Sequence, residues 1–155
     1  MRAAVVTIST SRAGAGGEED RSGPALVELC REAGVEARLE LVADDRVEIA
    51  AVLRRLADED DVRFVFTTGG TGLTADDVTP EATLDVIDRE APGFAETIRQ
   101  ESRRYTPLGI LTRGVSGVRG RTLIVNLPGS PKGVRESWSV LEPTLRHATQ
   151  TLERD

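Results

Sequence analysis

The run Thr67-Thr68-Gly69-Gly70-Thr71-Gly72, followed by Asp76-Asp77-Val78-Thr79-Pro80, leaves this chain few ways to fold. Val62, Phe64, Val65 and Phe66 before it are apolar and β-prone, and Thr79 and Pro80 behind it read as a helix N-cap and first helical residue. A strand therefore enters a glycine turn that opens on a helix N-terminus. Glycines there admit positive φ and let backbone N–H groups approach an anion with no Cβ in the way. The helix end adds partial positive charge. Asp76 and Asp77 in the same loop oppose a bare anion, and a divalent cation between carboxylate and phosphate removes the conflict. These residues point to a site for a metal-bound phosphate compound.

The same grammar recurs along the chain. Strand signals fall near 3–9, 36–42, 62–67, 114–118 and 121–127, with helical periods between them. Leu26, Leu29, Cys30 and Ala33 share one helix face, stopped by Gly34. Ile49, Leu53, Leu56 and Ala57 form another behind Asp45, which pairs with Glu48 as in a capping box. Leu84 and Ile87 follow Pro80, and Phe94 and Ile98 follow Pro92-Gly93. The last helix starts at Ser130-Pro131 and carries the stripe Val134, Trp138, Leu141, Leu145, Ala148 and Leu152. Pro143 within it is expected to kink or divide it.

Strands alternating with helices predict an α/β fold with a mostly parallel sheet covered on both faces. The closely spaced runs at 114–118 and 121–127, with Gly117 and Gly120, predict a hairpin and a locally antiparallel edge. The 155 residues, without repeat or long linker, read as one domain over 1–155.

Composition narrows the function. A net charge of −6 and 3% aromatic residues supply neither the basic field nor the stacking surface of a nucleic-acid binder. No apolar run approaches the roughly 20 residues of a membrane span, and the N-terminus lacks the pattern of a signal peptide. A single cysteine, Cys30, excludes an intramolecular disulfide, reads as a core thiol, and fits a reducing cytoplasm. His147, the one histidine, has no partners for a zinc site and reads as a helix-end charge. Trp138 reads as core.

Ligands of open α/β sheets bind beyond the carboxyl ends of the strands, and the unusual residues gather there. The second strand ends in Asp44-Asp45, where Asp45 has a capping task and Asp44 has none: it is either a solvated loop acid or a site residue. The third ends in the glycine loop with Asp77, while Asp76 is readable as an exposed loop acid. The last runs from Leu123 to Leu127 into Pro128-Gly129-Ser130-Pro131-Lys132-Gly133, a second glycine turn and helix start. Of the twenty basic residues nineteen are arginine, and the sole lysine falls there. This segment is either a plain capped helix start or a second oxyanion site. Near the N-terminus, Ser9 to Arg12 and Gly14 to Gly17 lead to Asp20-Arg21-Ser22-Gly23-Pro24, with Ser22 or Asp20 as helix cap and the glycines as a lid; functional and structural readings stand level.

Taken together, Asp20 to Pro24, Asp44, Thr67 to Gly72, Asp77 to Thr83, Pro92-Gly93-Phe94 and Asn126 to Lys132 resemble, in order, the MogA/MoaB family of molybdenum-cofactor biosynthesis proteins, which includes the gephyrin G domain. The resemblance implies a three-layer α/β/α sandwich and molybdopterin adenylyltransferase activity, in which a phosphate of molybdopterin attacks the α-phosphorus of ATP and pyrophosphate leaves. It maps the family's two catalytic aspartates onto Asp44 and Asp77, which on our reading hold Mg²⁺ on the nucleotide. Thr68, Gly69, Gly70, Thr71 and Gly72 would cradle nucleotide phosphates. Pro128, Gly129, Ser130 and Lys132 would hold the pterin's phosphate or nearby polar atoms, with Ser22 and Gly23 as further contacts. Homo-oligomers (trimers, sometimes hexamers) and a molybdenum-insertion protein as partner are implied as well.

Two residues depart from the family pattern. Asp76 stands where members often carry a basic residue, and Ser11 precedes Arg12 where many have Asp or Asn. Two other functions share these motifs: a MoaB-like protein that holds molybdopterin without adenylylating it, and a pyrophosphatase of ADP-ribose type, as in the related competence-damage proteins.

Overall fold

The computed structural model describes residues 1–9 and 20–154; the glycine segment 14–17 and Ser11-Arg12 lie outside that range. In chain order the elements are β1 (Arg2–Ser9), α1 (Ser22–Glu32), β2 (Glu36–Ala43), α2 (Arg46–Asp58), β3 (Phe64–Thr68), α3 (Thr79–Leu84), β4 (Arg89–Glu90), α4 (Pro92–Tyr105), a 3-10 turn (Pro107–Leu111), β5 (Ser116–Arg119), β6 (Thr122–Leu127) and α5 (Pro131–Leu152). They build one six-stranded sheet in the order β2-β1-β3-β6-β5-β4. The first four strands of that order run parallel, and β5 and β4 are antiparallel to their neighbours.

Alternation along the strands divides the interior in two. Ala3, Val5, Phe64, Phe66, Leu123, Val125 and Leu127 face α1, α4 and α5. Ala4, Val6, Ile8, Val65 and Ile124 face α2 and α3. The expected three-layer α/β/α sandwich follows directly, since every central strand must bury both faces. Trp138 meets Phe66 edge to face at 5.5 Å between ring centroids, in the core as its spacing implies. Fully buried leucines such as Leu26, Leu53 and Leu141 each contribute roughly 1.5–3 kcal/mol. Cys30 lies among them, and burial pushes its thiol up to about 12, which makes it unreactive at neutral pH.

The antiparallel edge is as expected, and Arg89 and Glu90 extend it by a two-residue strand outside the β5–β6 hairpin, too short to leave any alternation in the sequence. Two local expectations are corrected. Pro143 does not divide the last helix, which runs unbroken over 22 residues, its apolar stripe held against the sheet on both sides of the proline. Thr79 is the first residue of α3 rather than its cap, and its hydroxyl donates instead to the Gly69 carbonyl at 3.0 Å. The caps at Asp45 and Ser130 are as expected, receiving the Glu48 and Gly133 N–H groups at 2.9 and 3.0 Å.

Register brings the chemistry to one edge. Ser9 is level with Ala43, Thr7 with Thr68, and Thr68 with Leu127. The described loops after β2, β3 and β6 therefore leave the sheet at the same edge.

Candidate functional site

The glycine loop leaves β3 with its backbone in a conformation that side chains resist: Gly69 and Gly70 have φ of +97° and +70°. Space is as restrictive as torsion. A Cβ on Gly69 would lie 2.8 Å from the Ile8 carbonyl oxygen, and one on Gly70 would lie 2.2 Å from Thr79 Oγ1. The loop is thus pressed against β1 on one side and α3 on the other. Thr79 N–H donates to the Gly70 carbonyl at 3.1 Å, so turn and helix are joined by two bonds.

Thr68 is fully buried, and its hydroxyl donates to the Pro128 carbonyl at 2.7 Å. A Cβ on Gly129 would lie 3.3 Å from Gly69 Cα. The two glycine turns that the sequence separates by some sixty residues are therefore packed together, with Thr68 as the tie between them. Ser130 uses its hydroxyl as the α5 cap, and Lys132 stands in solvent with its side chain 80% exposed and its Nζ 4.0 Å from Glu136. Thr71 is buried, its carbonyl accepting from Arg113 N–H at 2.8 Å, and the Gly72 carbonyl accepts from Arg113 Nε at 2.8 Å.

Asp77 folds back on this loop. Its Oδ2 accepts from the Thr74 N–H at 3.0 Å and from the Thr74 hydroxyl at 2.7 Å. Asp44, at the end of β2, is half-buried, and its N–H donates to the Ser9 carbonyl at 3.1 Å. Its side chain accepts no hydrogen bond among the described residues. Burial, then the negative charges of Asp77 and Asp76, hold its carboxyl above the ordinary 3.8. Acids from two separate strand ends thus share one field, and Asp76 belongs to it.

Ser22 and Gly23 begin α1 at the same edge, but their polar groups turn inward to Asp20. That carboxylate accepts from Ser22 Oγ at 3.3 Å, Gly23 N–H at 3.1 Å and Thr7 Oγ1 at 2.9 Å. His147 lies elsewhere, on an apolar groove of about 420 Å³ lined by Phe94, Val118, Leu123 and Leu152. Leu123 lies near the start of β6, so this groove is at the opposite end of the sheet.

Sequence reasoning missed Asn126 and Arg113 as individual residues. Asn126 is buried in β6; its Nδ2 donates to Thr67 and Thr83 hydroxyls, each at 3.0 Å, and its Oδ1 accepts from Val115 N–H at 3.1 Å. Its place in the last motif was the available signal. Arg113 had none: one arginine among nineteen, before a short strand.

A divalent cation fits the donor set. Among the described residues no three His, Cys, Asp or Glu side chains form a metal cage. Mg²⁺ requires none, since it is commonly held by one or two carboxylates with substrate phosphates and water. A cation would also relieve the repulsion at Asp44.

That repulsion has a measurable consequence. A carboxyl whose folded value is raised binds its proton more tightly when folded, so its stabilising contribution is fullest below the unfolded value and is lost as pH rises through the folded one. At neutral pH the ionised Asp44 therefore opposes folding. Asp44→Asn is expected to raise Tm at neutral pH in chelator, and the gain should vanish as pH falls to where Asp44 is protonated. Thermal melts across pH, with no gain at neutrality, would contradict this account.

Fold and site together define an α/β protein that gathers two packed glycine turns and the acids Asp44, Asp76 and Asp77 at the carboxyl edge of its sheet. Comparison with known proteins makes this specific. The chain belongs to the family described as "Probable molybdopterin binding domain", which it matches over residues 4–147. It is 44% identical over 140 residues to a molybdopterin adenylyltransferase of Escherichia coli K12, covering 88% of this chain and 71% of that one. An enzyme of the same name from Helicobacter pylori J99 is 39% identical over 150 residues, covering 95% and 85%. The crystal structure of the molybdopterin biosynthesis enzyme MoaB from Thermus thermophilus superposes with a TM-score of 0.89 at 45% identity, covering 97% and 95%.

Proposed function

We propose that this protein acts in molybdenum-cofactor biosynthesis as a molybdopterin adenylyltransferase, with ATP and molybdopterin as substrates. The observation that carries the reading is the shared field of Asp44, Asp76 and Asp77 beside the glycine-loop amides. Acids and phosphate-binding backbone are compatible in one cleft only if a cation lies between them. In this reading a phosphate oxygen of molybdopterin forms a bond to the α-phosphorus of ATP, the bond from that phosphorus to the bridging oxygen breaks, and pyrophosphate departs. Such transfer needs positioning and charge neutralisation more than a protein nucleophile; in this reading the glycine-turn amides would give the first, and a cation held by the acids the second.

Asp44 and Asp77 would hold Mg²⁺, which neutralises charge on the triphosphate when bound. The amides of residues 70–72 would face the nucleotide phosphates, while that of Gly69 donates to the Leu127 carbonyl at 3.4 Å and holds the loop to β6. Lys132, extended into solvent at the start of α5, would receive the pterin's phosphate as a point charge. Ser22 and Gly23 would contribute less directly, since the Ser22 hydroxyl and the Gly23 N–H are both turned to Asp20.

Incubation with Mg-ATP and molybdopterin should yield adenylylated pterin and pyrophosphate in equal amounts. Pterin binding without product would make this a carrier, and AMP release from ADP-ribose without pterin would make it a hydrolase. The reading includes a cytoplasmic homo-oligomer, trimer or hexamer. Leu108, Ile110 and Leu111 are exposed in the 3-10 turn, and with the apolar groove they offer surface that further copies would cover. Release of product to a molybdenum-inserting protein completes the proposal.

A further inference from the structure

We infer that Arg113 is a positioning residue for the carboxylate site: its guanidinium clips the glycine loop to the start of α3 and so fixes where Asp77 stands. Its N–H groups reach three points on this segment. Nε donates to the Gly72 carbonyl at 2.8 Å, Nη2 donates to the Asp77 carbonyl at 2.7 Å, and Nη1 pairs with the Glu81 carboxylate. The Arg113 main-chain N–H adds a fourth bond, to the Thr71 carbonyl at 2.8 Å. Residues 71 to 81 thus close around one planar group.

The arginine is itself held. Gly114 next to it is buried, its carbonyl accepting from Arg99 Nη1 at 2.7 Å. A Cβ at Gly114 would lie 3.3 Å from the Asn126 carbonyl oxygen, so backbone packs on backbone there. Val115 N–H donates to Asn126 Oδ1 at 3.1 Å. Asn126, which also bonds Thr67 at the end of β3, ties the arginine's segment to the strand from which the glycine loop departs. Loop and clip share one anchor.

The need for such a clip is electrostatic. Asp76 and Asp77 sit in a loop facing Asp44, and their repulsion favours opening the loop before any cation arrives. Arg113 is the cation that hydrogen-bonds this loop among the described residues, and it does so through the Gly72 and Asp77 carbonyls rather than through the Asp77 carboxylate, whose Oδ2 is held by Thr74. A lysine would keep the charge but not the fork that spans three acceptors.

The kinetic part of the test rests on the transferase reading; the exchange part does not. Arg113→Lys and Arg113→Gln are compared with the unaltered protein by hydrogen–deuterium exchange and steady-state kinetics. In both variants the amides of residues 69–77 should exchange at least about 10-fold faster, while those of β1 and β6 keep their rates. kcat should fall at least about 10-fold with more Mg²⁺ needed for half-maximal rate, and molybdopterin affinity should change less than about 2-fold. Arg113→Lys guards against a folding defect, because it keeps charge and bulk. Unchanged exchange at 69–77 in both variants overturns the proposal, as does equal loss of pterin affinity and turnover. An unaltered protein with no transferase activity overturns the functional reading alone, and exchange still decides the clip.

Discussion

Asp77→Asn is expected to lower kcat for adenylyl transfer by ~10²–10³-fold, the size of losing one charge-stabilising group in a water-poor site. Molybdopterin affinity should stay within about 2-fold. The expectation follows from what Asp77 does locally. Its Oδ2 is occupied by the Thr74 N–H and hydroxyl, bonds that an asparagine carbonyl can also accept. The loop therefore survives the change and only the negative charge is lost. Fold stability should move little, which separates a catalytic effect from a structural one. Mg²⁺ dependence gives a second readout, since the variant should need more cation to reach its residual rate. Single-turnover assays beside pterin titrations make the measurement. Equal losses in rate and pterin affinity would remove Asp77 from the catalytic assignment.

Gly70→Ala should be strongly damaging for a change of one methyl group. The φ of +70° costs any non-glycine residue about 1–2 kcal/mol. The new Cβ would fall 2.2 Å from Thr79 Oγ1, forcing away the hydroxyl that donates to the Gly69 carbonyl, at a further cost of about 1–2 kcal/mol. The sum of about 2–4 kcal/mol predicts a fall in Tm of roughly 5–12 °C for a domain of this size. Gly34→Ala is the control: its φ of +74° is alike, but no atom lies within 4 Å of the added Cβ. Gly34→Ala should therefore show the torsional cost alone and leave ATP binding intact. Gly70→Ala should weaken ATP binding at least about 10-fold, because the amides that face the phosphates would be displaced. Equal melting losses in the two variants would mean that contact with Thr79 does not constrain the loop.

Much of this molecule is written locally. The strand-turn-helix seam after β3, the cap at Asp45 and the α5 stripe through Trp138 are each specified by neighbours in sequence, and each stands where periodicity and capping chemistry place it. Elsewhere local rules lost to packing. Pro143 breaks the hydrogen-bond ladder of α5, yet apolar contacts on both sides hold the helix in one piece. Thr79 has the residue type of a cap, but a carbonyl from the glycine loop takes its hydroxyl first. β4 is two residues whose strand character comes entirely from the neighbour β5.

The sequence alone determined the layered α/β architecture and the loops that carry the glycine turns and acids, because hydrophobic period, glycine torsion and helix capping act over a few residues. Only the tertiary structure decided which of those loops meet. Strand register sets Thr68 beside Leu127, packs Gly129 on Gly69, and puts Asp44 within the field of Asp76 and Asp77. It also delivers Arg113 to carbonyls some forty residues away, through contacts with no local trace. Pairing between distant strands depends on the whole sheet closing at once, and no window of sequence contains that information.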